Sequence, residues 1–192
     1  MTESDDSLQS VQYGSVLDLL SEGEIEGIEG GVKGIYLDGT PIQSAAGTDN
    51  FTGYTLVTRN GTQAQAYIPN TNGTELEKGV NVEASFTSAV TRTITDVDVD
   101  RVRVTVQMPA CRTIETNGDI TGNSVDIEIQ VQYNGGGFTA AVADTISGKT
   151  TNSYQRDYIL TLSGAFPVDI RLKRTSADAI SARSQNKTFF YS

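Results

Sequence analysis

Asp96, Asp98 and Asp100 are the residues of this chain best spaced to do chemistry. In an extended segment alternate residues point the same way, so three such carboxylates can share a Ca²⁺. The glycine and the distal glutamate of an EF-hand loop are missing, and the same acids fit an exposed turn between two strands. We therefore expect no bound metal. Glu22, Glu24 and Glu26 form a second acidic set. A glycosidase draws its two acids from separate strands across a cleft, whereas acids alternating with apolar residues in one segment fit a solvated strand face. Gly27, Gly30, Gly31 and Gly34 surround Lys33, yet no Gly-Lys-Ser/Thr follows and the dinucleotide fingerprint is not matched. Flexible backbone for tight turns accounts for them better.

What is missing narrows the chemistry further. The chain has no histidine and one cysteine, so Ser-His-Asp and Cys-His catalysis in their usual forms are unavailable. Cys111 has no partner for an internal disulfide and reads as a small core residue. With eight Tyr, six Phe and no Trp, a stacking groove for sugars or single-stranded nucleic acid is poorly supplied. The net charge of −10 argues against a sequence-specific grip on nucleic acid, which needs clustered Lys and Arg. Arg171, Lys173, Arg174, Arg183 and Lys187 gather what positive charge there is, as a wet strand face or as a contact to an acidic neighbour. No cofactor is implied, and no apolar run is long enough to span a membrane.

The elements that would position these residues are mostly strands. Tyr13, Val16, Leu17 and Leu20 recur at helical spacing, with Ser10 as N-cap and Gly23 as terminator, so the pattern predicts one short N-terminal helix. A lone helix of two or three turns is marginal in water, and its stripe must dock on something. Tyr13, Val16, Leu17, Leu20, Glu22, Glu24 and Ile25 are accordingly the candidate interface residues. Ile25–Ile28 and Val32–Leu37 read as short strands, Asp38-Gly39 as a tight turn, and 54–59 with 63–68 as a second hairpin about Asn60-Gly61. The Asn/Thr/Gly-rich stretch Pro69–Gly79 marks a boundary, dividing the chain into 1–79 and 80–192. Beyond it alternation is strict: Val102, Val104 and Val106, then Val125, Ile127, Ile129 and Val131, then Val168, Ile170 and Leu172. One buried and one wet face on each strand indicate an antiparallel, Ig- or fibronectin-like β-sandwich. The fold class is mainly β.

Several of these segments resemble one family. Ser15–Gly27 and Gly31–Ile42, then Val90–Thr95, Val99–Val104, Gly148-Lys-Thr-Thr151 and Gln185-Asn-Lys-Thr188, are similar in order to the host-specificity, or tip attachment, proteins J of lambda-like tailed phages. The resemblance implies a structural part of the virion: a trimeric hub at the tail tip, made in the host cytoplasm, whose N-terminal region supplies hub segments and inserted fibronectin-like domains. Other tail-tip proteins would be its partners. Members are several times longer, with receptor binding far downstream, so this chain is expected to be a fragment or the product of a split gene, and no residue here is assigned host recognition. Two other functions compete. A carbohydrate- or receptor-binding sandwich would use Phe51, Tyr54, Tyr67 and Phe138, and a carboxylate hydrolase would use Glu24 or Glu26.

Overall fold

The computed structural model describes residues 5–68 and 75–192. Most of the expected Pro69–Gly79 loop therefore lies outside the described residues. The chain divides into two compact units, residues 14–76 and residues 77–192 joined by the N-terminal stretch through Tyr13.

In the unit 14–76, β1 (Tyr36–Leu37) and β2 (Thr40–Pro41) form a hairpin across Asp38-Gly39. Asp38 and Gly39 have φ of 47° and 76°, the left-handed pair that matches the twist of the flanking strands. A single turn of 3-10 helix, Gly31–Gly34, precedes it.

The larger unit contains β3 (Val82–Ala84), β4 (Val90–Ile94), β5 (Arg101–Met108), β6 (Arg112–Ile114), β7 (Ile120–Thr121) and β8 (Asn123–Tyr133). It continues with β9 (Thr139–Gly148), β10 (Tyr154–Thr161), β11 (Val168–Arg174), β12 (Ser184–Gln185) and β13 (Thr188–Phe190). One sheet runs β10-β5-β13-β3 and the other β4-β11-β8-β9, all pairs antiparallel, with a small sheet β12-β6-β7 beside them. The alternation read from the sequence sets which side chains face inward. Val125, Ile127, Ile129 and Val131 of β8 and Val168, Ile170 and Leu172 of β11 line one layer. Val104, Val106 and Met108 of β5, with Tyr154, Leu160 and Phe190, line the other. The expected sandwich is the fold found.

The N-terminal helix is not. Residues 11–20 form no helix or strand, and Gly23 does not take a positive φ. Its stripe meets no described surface to bury it, and nucleation of so short a helix is not repaid by its own hydrogen bonds. Ser10, the expected cap, instead accepts the Gln155 N–H at 2.8 Å. Ile25–Ile28 is likewise not a strand, and the hairpin expected about Asn60-Gly61 forms no ladder. There the Arg59 guanidinium donates to Ala66 O at 2.8 Å and Tyr67 O at 3.4 Å, taking carbonyls that a ladder would have paired.

Val131 is 5% exposed and sits opposite Ile170. Val131→Asp would bury an unpaired carboxylate at a cost of several kcal/mol, against a typical total stability of about 5–15 kcal/mol. We expect thermal melting of the purified variant to show the sandwich largely unfolded at 37 °C. A Tm within a few degrees of wild type would refute the assigned register.

Candidate functional site

Polar side chains and residues 6–10 organise one end of the sandwich. Arg174 is the next inward position of β11 after Leu172, so strand alternation places a guanidinium inside the core at 2% exposure. It donates to the carbonyls of Ser176, Ala177 and Asn186 at 3.0, 2.9 and 2.7 Å, and to Asn186 Oδ1 at 3.1 Å. Asp178 stands 3.4 Å from Arg174 Nε and accepts the Phe86 N–H. Burial pushes the guanidinium's pKa down, with Asp178 and Glu83 opposing. Asn186 in turn donates to Asn123 Oδ1, and Asn123 Nδ2 donates to Thr113 and Ser184. The buried side-chain polar atoms described here all have hydrogen-bond partners.

Asp144 of β9 joins the two sheets along one side. Its Oδ2 accepts from Arg156 Nη1 at 2.7 Å and from the Tyr158 hydroxyl at 2.6 Å, both on β10. Arg156 Nε also donates to the Tyr154 hydroxyl. Partial burial raises the Asp144 pKa, but the bonds from Tyr158 and Arg156 outweigh it and hold the carboxyl below its usual range. The same contact works with burial to push the Tyr158 hydroxyl up.

The candidate interface residues lie elsewhere. Tyr13, Val16, Leu17 and Leu20 are 88%, 87%, 63% and 66% exposed, with Val11 and Leu19 similarly bare. Glu22 and Glu24 face solvent, while Ile25 is half-buried and its N–H donates to Asn60 O at 2.8 Å. The structure thus gathers Glu24–Glu26 against the Asn60-Gly61 turn but does not bring the four apolar residues into a packed stripe. Asp96 Oδ1 accepts the Asp98 N–H, a local turn, and no three acids converge as a metal site among the described residues. Of the aromatics that a sugar site would use, Phe138 lies 3.7 Å beneath the Arg171 guanidinium and the Tyr54 hydroxyl donates to Asp49. Burial raises the pKa of the Cys111 thiol, which donates to Asn123 O.

Sequence reading missed Arg174, Asn123, Asp6 and Leu8 as structural residues. Arg174 was legible, because it continues the inward positions Val168, Ile170 and Leu172. Leu8 had a weaker signal, a single leucine in an acidic stretch.

An antiparallel sandwich of this kind is a fibronectin type III-like domain. A family model described as tip attachment protein J, FNIII-A domain, matches residues 74–192, and the chain belongs to the tip attachment protein J family. The tip attachment protein J of Escherichia phage SECphi4 is 36% identical over 192 residues, covering 96% of this chain and 16% of that protein. That of Escherichia phage SECphi27 is 31% identical over 186 residues, with the same coverage of 96% and 16%. The chain thus spans about a sixth of the length of these relatives. Among solved structures, a family GH115 4-O-methyl-α-glucuronidase matches 69% of this chain and 19% of its own, at 12% identity and a TM-score of 0.37.

Asp144→Asn removes the charge that Arg156 and Tyr158 share. We expect a loss of roughly 1–3 kcal/mol in urea denaturation at pH 7. A lowered folded pKa contributes stability that is present above the unfolded value and lost as pH falls through the folded one. The gap between wild type and variant should therefore narrow below about pH 4. A constant gap from pH 7 to pH 3 would refute the assignment.

Proposed function

We propose that this chain is a non-enzymatic structural part of a phage tail tip, the N-terminal portion of its central hub. In the virion, three copies surround the axis, contact the other tail-tip proteins, and form part of the host-attachment apparatus and of the conduit for DNA. Synthesis takes place in the host cytoplasm. The observation that carries this reading is the similarity to two tip attachment proteins J over 96% of the chain.

The geometry is consistent with that role. The two ends of the stretch 80–191 are neighbours, since the N–H groups of Val80 and Asn81 both donate to Tyr191 O at 2.8 and 3.0 Å. A domain whose two ends are neighbours can be carried as an insert in a larger body without stretching it. Tyr13, Val16, Leu17, Leu20, Glu22, Glu24 and Ile25 are the proposed docking surface. Large apolar side chains left in water over one short segment mark a contact site. Residues 1–32 hold eight Asp and Glu and no Lys or Arg, which suits a partner with a basic rim and repels nucleic acid passing nearby.

The test is an electron cryo-microscopy map of the virion's tail tip at side-chain resolution. We expect threefold density for residues 80–192 as a sandwich, with Tyr13, Val16, Leu17 and Leu20 buried against neighbours. Virions that contain no such chain, or in which those side chains remain in solvent, would overturn the proposal. The boundary near residue 79 has its own check. Residues 80–192 expressed alone should give dispersed amide NMR peaks, and residues 14–76 alone should not, because Ile42 is the one buried large apolar side chain among that unit's described residues.

A further inference from the structure

The backbone from Gly148 to Gln155, where β9 passes into β10, forms a seat for a strap made of residues 6–10. The N–H groups of Ser7 and Leu8 both donate to Lys149 O at 2.9 Å. The Lys149 N–H donates back to Ser7 Oγ at 2.9 Å. Asp6 Oδ2 accepts the Thr151 N–H at 2.9 Å and the Thr151 hydroxyl at 2.8 Å. Ser10 Oγ accepts the Gln155 N–H. Leu8 is 9% exposed and joins the sandwich core. The seat is shaped for this occupant: Gly148 has φ of +148°, and a Cβ there would stand 2.8 Å from both Leu8 Cγ and Ser7 Oγ.

Past Ser10 the hydrogen bonds cease. Residues 11–20 have no helix or strand and make no hydrogen bond among the described residues. The strap is therefore a short docking element followed by a tether that holds no hydrogen bond.

We propose that the seat also takes the strap of a second copy, so that residues 6–10 of one chain dock on 148–155 of its neighbour. Each bond that holds the strap runs between it and the sandwich, so changing the donor chain leaves the set of contacts unchanged. Exchange of an identical element is for this reason a low-cost route to oligomers. The tether gives up no hydrogen bond, and ten extended residues reach roughly 33–36 Å. In dilute solution each strap prefers its own seat, because strap and seat on one chain are never separated by dilution. Copies held side by side compete with that on equal terms. Strap and seat are different surfaces, so repetition of the contact closes only as a ring. The step to a ring rests on the proposal that several copies assemble at the tail tip.

The test uses the full chain. A nitroxide is attached to Asp5→Cys in unlabelled protein, Cys111 being buried and unreactive. That protein is mixed at about 0.5 mM with nitroxide-free ¹⁵N protein. Exchange predicts at least a twofold loss of amide intensity across Gly148–Gln155 of the ¹⁵N chains. The loss should disappear when Leu8→Asp is added to the nitroxide chain, because the strap then cannot enter the core. Unchanged intensities, or broadening that survives Leu8→Asp, would overturn the exchange. Either result leaves the tail-tip role untouched, since imaging of the virion decides that separately.

Discussion

The pairing of β8 with β11 fixes most of what surrounds it. From Val168↔Tyr133 to Arg174↔Ile127 the two strands lie in continuous register, with Val125, Ile127, Ile129 and Val131 facing the same layer as Val168, Ile170 and Leu172. A slip of one residue would turn that whole aliphatic set to solvent and bring Asp126, Glu128 and Asp169 inside, so the register has no near competitor. β4 and β9 then pair with the outer edges of this pair, and the second sheet closes over it through Val104, Val106 and Met108.

Arg174 follows from the same constraint. Once β11 is set, its last residue must point inward, and a buried guanidinium without partners would be prohibitively costly. The loop after it supplies carbonyls from Ser176, Ala177 and Asn186. Asn186 reaches Asn123 at the start of β8, so the polar network ties both strands of the central pair to the final strand, β13. Two of the segments that resemble the family, Gly148–Thr151 and Gln185–Thr188, lie at this end of the sandwich. Lys149, Thr150, Asn186 and Thr188 are all buried and help to close the sandwich.

Legibility in the sequence tracks how much a segment depends on partners outside it. The strands β5, β8 and β11 were plain because alternation of apolar and polar residues reports burial on one face directly. Strands β6, β7 and β12, of two or three residues, are too short to show any period. The stripe Tyr13, Val16, Leu17 and Leu20 has helical spacing, but spacing states only which face would be buried, and no described surface buries it. The same limit hid the strap. Asp6, Ser7 and Ser10 are ordinary polar residues, and only the backbone N–H groups of Lys149, Thr151 and Gln155 make them a docking element.

These contrasts bear on how the two units are stabilised. The sandwich draws apolar side chains from both sheets into one core, and its polar end is fully bonded. In the unit 14–76, Tyr36, Leu37, Leu56, Val57 and Tyr67 remain exposed in addition to the bare stripe before Ile25. Ordering a residue costs about 1–2 kcal/mol of backbone entropy, and burial at roughly 25 cal/mol per Å² must offset it. With so little buried, the unit's own contacts do not close that balance. In the docking proposed for this segment at the tail tip, the surfaces of neighbouring subunits would offset that cost.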